Sequence, residues 1–183
     1  MYYFDHSATT PLLTDVSRLM NDINRETYGN PSSIYSAGRR SRSIIENARC
    51  EVANSISASP EQIIFTSGGT ESNNHVLWSM LKNSRKHIIS NKIEHPAILK
   101  VLQFLSQYGL KHDLVGVSTE GIVSVDEVRK LISPDTGLIS IMLANNEIGT
   151  VQPVKEVARI AKKSGILVHT DAVQCLGKMD VNV

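Results

Sequence analysis

The chain has 183 residues, 41% of them hydrophobic, which is the size and composition of one ordinary globular domain able to bury a core. Nineteen Lys and Arg against eighteen Asp and Glu leave a formal charge of +1, so charge alone gathers neither nucleic acid nor an anionic membrane. Two cysteines make no disulfide framework, acidic residues near Met1 replace the basic-then-apolar run of a signal peptide, and no apolar stretch approaches the ~20 residues of a membrane span, so a soluble cytoplasmic protein is expected.

Thr10-Pro11 pairs an N-cap with a proline at the first helical position. Leu12, Leu13, Val16, Leu19, Met20 and Ile23 then recur at helical spacing, so a first helix is expected from there to about Tyr28-Gly29. The turn-forming Asn30-Pro31-Ser32-Ser33 precedes a longer helix whose face is marked by Ile44, Ile45, Ala48, Val52 and Ile56. Arg39, Arg40 and Arg42 lie in its N-terminal half, an unfavourable end for cations unless an anion is close. Beyond residue 61 the pattern becomes short apolar runs, each followed by a helical segment. Ile63-Ile64-Phe65, Ile88-Ile89, residues 138–143 and Ile166-Leu167-Val168 are the expected strands. Helices are expected over 71–81, 97–108 and 154–164, with a short one after Ser124, where Glu127 is in capping-box position. This alternation predicts an α/β fold with a mainly parallel sheet flanked by helices. Without repeats or a visible linker, residues 1–183 are assigned to one unit: a helical segment over about 1–60 and a sheet region over about 61–183.

Parallel sheets place ligands at the carboxyl ends of their strands, and four such exits carry unusual chemistry. Ser67-Gly68-Gly69-Thr70 lies between an expected strand and an expected helix. There, glycines admit close backbone approach and first-turn N–H groups point at an anion such as a phosphate. A plain tight turn capped by Thr70 is the alternative. The spacing is neither a Walker loop nor a dinucleotide fingerprint. Asp171, at the tip of a buried strand, needs a cationic partner if it is to stay ionised. The protonated ring nitrogen of pyridoxal phosphate is one supplier; a lysine or arginine, or use of the carboxylate as a helix cap, are others. Gln174 lies three residues on, as a second contact or a surface amide. Asn145-Asn146 brings two amides to the same edge, able to donate to a phenolate oxygen or to shape a turn. His95, before Pro96, can stack on a flat ring or move a proton, although a lone loop histidine usually does neither. The six histidines and two cysteines show no metal-ligand spacing, so no metal site is expected.

Taken together, these stretches resemble the class V aminotransferase group, in particular the cysteine desulfurases. The matching runs are Phe4-Asp5-His6-Ser7-Ala8-Thr9-Thr10, Tyr28-Gly29-Asn30-Pro31-Ser32-Ser33, Phe65-Thr66-Ser67-Gly68-Gly69-Thr70-Glu71-Ser72-Asn73-Asn74, Glu94-His95-Pro96-Ala97-Ile98, Asn145-Asn146-Glu147-Ile148-Gly149 and His169-Thr170-Asp171-Ala172-Val173-Gln174. The resemblance implies the large domain of a fold-type I enzyme with pyridoxal 5'-phosphate as cofactor. In it, Gly69 and Thr70 would hold the phosphate, His95 would stack on the ring, Asn146 and Gln174 would contact the phenolic oxygen, and Asp171 would pair with the ring nitrogen. It further implies conversion of L-cysteine to L-alanine, with the sulfur held as an enzyme persulfide and passed to an acceptor or scaffold protein for iron–sulfur cluster assembly or tRNA thiolation. A homodimer, with active sites completed across the interface, is also implied.

The family's cofactor-linking lysine lies in a Ser-x-His-Lys stretch, and no such stretch occurs in these 183 residues. Lys178 is in the wrong context to replace it, and neither Cys50 nor Cys175 matches the persulfide cysteine. His6 and Tyr35 stand where the family often has asparagine and histidine. The chain therefore reads as an N-terminal portion, inactive by itself and exposing strand edges and apolar faces. A selenocysteine lyase or another class V enzyme is an alternative that shares every motif up to Gln174. A non-catalytic remnant or half of a split enzyme is another.

Overall fold

Four strands, β1 (His87–Asn91), β2 (Lys111–Val115), β3 (Thr136–Ser140) and β4 (Leu167–His169), pair in parallel in the order β2-β1-β3-β4 in a computed structural model, which describes residues 2–183. The central strands β1 and β3 are buried at every residue, their polar ends included, where His87 Nδ1 and Thr136 Oγ1 share a hydrogen bond of 2.8 Å and Ser140 Oγ another of 2.8 Å with His169 Nδ1. The strands expected around 88–89, 138–143 and 166–168 are thus present. Beyond Ser140 the third continues only as extended chain, with Ile141 and Leu143 N–H donating to the carbonyls of His169 and Asp171.

Two of the strand expectations are corrected. Strand β2, Lys-His-Asp-Leu-Val, was not expected, because an edge strand open to solvent carries charged residues and lacks the apolar run. Conversely, Ile63-Ile64-Phe65 forms no strand. It leaves a short 3-10 turn (Pro60–Gln62) as extended chain, and no other strand lies beside it among the described residues. Apolar character made it look like a buried strand, yet Ile64 is largely exposed.

The chain divides into two units, one reaching Phe65 and including Met179–Val183, the other Thr66–Lys178. In the first, α1 (Thr14–Glu26) starts later than the Thr10-Pro11 signal suggested; its N-cap is Leu13, which has no side chain able to cap. In helix α2 (Ser36–Ser55), Arg40 has an anion close by, pairing with Glu26 at 3.7 Å, while Arg39 donates to the neutral Ile34 carbonyl at 2.6 Å. Arg49, further along α2, donates to the Ile63 carbonyl at 2.6 Å and lies 4.9 Å from the Phe65 ring centroid.

The second unit holds the sheet. Helices α3 (Gly69–Ser79) and α4 (Pro96–Leu105) bury Leu77, Ile98, Leu102 and Leu105 with Ile88 and Leu138, on one face. Helices α5 (Val125–Leu131) and α6 (Val154–Lys163) bury Val128, Val157 and Ala161 with Ile89, Ile139 and Ile141, on the other. Adjacent residues of β1 and β3 therefore feed opposite layers, as the two-residue period of a strand requires. Ser124 Oγ accepts the Glu127 N–H at 3.4 Å at the start of α5. No helix among the described residues is long and apolar enough to cross a membrane.

Candidate active site

The carboxyl ends of β1, β3 and β4 and the start of α3 all belong to the second unit, and the six candidate residues lie on the segments that leave them. Helix α3 begins at Gly69, with Thr70 in its first turn, so their N–H groups have no partners within the helix. A Cβ on Gly69 would come within 2.7 Å of Val173 Cγ2, which shows how closely the helix start approaches the segment after β4. Ser67 donates to Glu71 Oε2 from its N–H at 2.7 Å and from its hydroxyl at 2.6 Å. These bonds pin the turn and hold the Glu71 carboxyl below its ordinary range.

Asp171 stands at the β4 exit, half-buried. Its Oδ2 accepts the Asn73 amide of α3 at 2.7 Å, and its Oδ1 accepts the Val173 N–H at 3.1 Å. None of the ion pairs among the described residues includes it. The lysine or arginine partner left open by the sequence is therefore absent from those residues, while the capping alternative takes one oxygen only. Nearby, His169 Nδ1 shares a hydrogen bond of 2.8 Å with Ser140 Oγ, and burial lowers its pKa, against the pull of Asp171.

At the β1 exit, His95 caps α4: its Nδ1 accepts the Ala97 N–H at 3.1 Å, and the ring is exposed. Its neighbour Glu94 is buried, with Oε1 accepting the Asn91 amide at 2.5 Å and the Met142 N–H at 2.6 Å. Sequence reasoning gave Glu94 no role, because a single acidic residue in a turn looks solvated. At the β3 exit, Asn145 serves the turn rather than a ligand. Its Oδ1 accepts the Glu147 and Ile148 N–H groups at 2.8 and 3.0 Å, and its Nδ2 donates to the Ile93 carbonyl at 2.9 Å. That last bond ties the Asn146 turn to the His95 turn. Asn146 itself is half-buried, and its amide donates to Glu147 Oε1 at 3.2 Å.

Gln152, buried and also missed, fixes the far end of the Asn146 loop. It accepts the Val123 N–H at 2.9 Å, and its Nε2 donates to the Gly121 carbonyl at 2.8 Å. Gln174 follows Asp171 on the same turn, with Oε1 accepting Lys178 Nζ at 3.0 Å. Cys175 is buried and its thiol is pushed up, by burial first and the Asp171 charge second, so it reads as a core residue rather than a nucleophile. No cluster of three metal-ligating side chains occurs among the described residues.

The arrangement offers an anion-binding helix start, an exposed aromatic ring and a carboxylate served by neutral donors on one sheet edge. These suit a phosphorylated, flat, cationic heterocycle such as pyridoxal phosphate. The model of the aminotransferase class-V family matches residues 2–183. The chain is 47% identical over 184 residues to cysteine desulfurase IscS of Dictyoglomus turgidum, covering 99% of the chain and 47% of that protein. It is 41% identical to the mitochondrial cysteine desulfurase of Saccharomyces cerevisiae, covering 99% of the chain and 37% of that protein. Among solved structures, a NifS-like protein superposes with a TM-score of 0.94 at 42% identity, covering 99% of this chain and 51% of the other. SspA in complex with cysteine gives 0.94 at 33%, covering 100% and 54%. The chain thus spans about half the length of the relatives it matches, and it belongs to the aminotransferase class-V family.

Proposed function

We propose that this chain carries the cofactor seat of a pyridoxal-phosphate-dependent cysteine desulfurase, a cytoplasmic enzyme that takes sulfur from L-cysteine. The observation that carries the reading is Asp171, a carboxylate at a strand exit with two neutral donors and no cation among the described residues, next to the glycine start of α3. Gly69 and Thr70 would bind the phosphate through first-turn N–H groups, and the helix dipole favours the anion there. Asp171 would hold a proton on the ring nitrogen, with Asn73 orienting the carboxylate. His95 would cover one ring face, since its capping bond leaves the ring exposed. Asn146 and Gln174 would meet the phenolic oxygen as amide N–H donors, Gln174 keeping Lys178 on its Oε1 and Asn146 having a second N–H beside the one given to Glu147. When bound, the cofactor supplies the electron sink for chemistry at the amino acid. The names of the relatives, and the neighbour solved with cysteine, support L-cysteine as substrate; a sulfur acceptor or scaffold protein as partner and a homodimer as the working form are carried over from the family resemblance alone.

These 183 residues contain no Ser-x-His-Lys stretch. Pyridoxal phosphate is therefore expected to bind this chain reversibly, without a borohydride-reducible link to a specific lysine. Equilibrium dialysis against pyridoxal phosphate tests the reading. Asp171→Asn, which removes a charge-assisted bond, should weaken binding about tenfold or more. Equal affinity in the variant and the wild type, or no binding by either, would sink it.

A further inference from the structure

Two carboxyl groups meet at this edge, and the structure treats them differently. Asp171 accepts a hydrogen bond on each oxygen. Glu94 is 4% exposed and receives both of its bonds on Oε1, while Oε2 is buried with no partner. The two residues are tied to consecutive positions of one extended segment: Met142 N–H donates to Glu94 Oε1 and Leu143 N–H donates to the Asp171 carbonyl.

We propose that Glu94 is a positioning residue of the ring-nitrogen seat, a buried acid that carries its proton on Oε2 and so leaves Asp171 the single anion there. A neutral carboxylic acid with one unbonded oxygen is far cheaper to bury than a carboxylate in the same place. A carboxyl pair whose surroundings favour opposite protonation states divides the roles of anion and acid between its members. Holding its proton, Glu94 still accepts from Asn91 and Met142, so it clamps the β1 exit, which carries His95, to the β3 exit, which carries Asn146. Burial as the first cause, with the Asp171 charge adding to it, raises the Glu94 pKa to about 7.

The other ionisable groups on the elements that meet here do not replace this pairing. The β1 exit adds Lys92 and His95, both exposed, and the β3 exit adds the exposed Glu147. The β4 segment adds His169, which burial holds towards its neutral form, and the buried Cys175 thiol. The meaning of the seat rests on the pyridoxal-phosphate reading, but the protonation of Glu94 does not.

The test is a carbon-13 carboxyl titration by NMR of the cofactor-free protein, with Glu94→Gln identifying the Glu94 signal. The expected midpoint is near pH 7, falling by ~0.5 unit or more in Asp171→Asn. A wild-type midpoint in the ordinary carboxylate range, about 4.3, would overturn the proposal, and so would a midpoint unmoved by Asp171→Asn. If Asp171→Asn does not fold, Asp171→Glu, which keeps the charge, serves instead and should leave the midpoint within ~0.3 unit of wild type, a larger fall overturning the proposal. Failure of the cofactor reading shows separately, as absent pyridoxal-phosphate binding with the Glu94 midpoint still raised.

Discussion

The Glu94 carboxyl links local geometry to global stability. Its folded pKa, about 7, lies above the value near 4.5 expected in the unfolded chain. The folded protein therefore binds more protons between these two values, and stability falls as pH rises through that window. The share at stake is roughly 3 kcal/mol, present in full below about pH 4.5 and lost by pH 7 to 8. His169 works in the opposite direction: its pKa is lowered by burial, so its share is lost as pH falls below the ordinary histidine range. Glu94→Gln isolates the first effect, since an amide keeps an acceptor for Asn91 and Met142 and cannot ionise. Urea unfolding should show the variant gaining on the wild type by about 2–3 kcal/mol between pH 5 and 8. A constant difference across that range would mean that Glu94 is ionised in the native protein throughout. Residues of this kind were not legible in the sequence. Asp171 and Gly69 stood out because a strand-end carboxylate and a glycine pair each suggest a ligand. Glu94, Asn73 and Gln152 owe their roles to partners 29 to 98 positions away.

At the scale of elements, pattern reading succeeded where an element is buried and failed where its partner decides. Strands β1 and β3 and helices α3 to α6 have apolar sets that close within the second unit, so periodicity located them. Strand β2 is defined by its pairing with β1, and its charged residues concealed it. Residues 63–65 had the right composition and found no strand neighbour. Gly137 shows the same dependence within an element that was located correctly. The β1–β3 register runs His87 to Thr136 and then Ile88 to Leu138, leaving Gly137 as the extra residue of a bulge. A Cβ there would lie 2.8 Å from the Arg85 carbonyl oxygen and 2.7 Å from Met80 Cε. The methionine can swing aside, but the backbone oxygen cannot. Gly137→Ala should therefore destabilise by about 1–3 kcal/mol, read as a lower urea midpoint at unchanged slope. An unchanged midpoint would show that the segment before β1 can move away freely.

At the scale of the whole chain, burial is uneven. The second unit carries both apolar clusters, whereas no residue of α1 is buried. Of the apolar stripe that announced this helix in the sequence, Val16, Leu19 and Met20 lie exposed on it, Ile23 is half-buried, and Leu12 and Leu13, also exposed, precede its first turn. The stripe located the helix because a 3.6-residue period needs no partner to be visible, but the period says nothing about what covers it. A continuous apolar helix face left in water favours association, since each such side chain gains ~1.5–3 kcal/mol on full burial. The 183-residue chain is therefore expected to self-associate, with a weight-average mass in sedimentation velocity that rises with concentration. Replacing Leu19 and Met20 by lysine puts two charges into the stripe, and should weaken association about tenfold or more. If the wild-type chain stays monomeric across the accessible concentration range, the α1 face is not the association surface. If association persists unchanged in the double variant, the extended, unpaired segment at Ile64 and Phe65 becomes the surface to alter next.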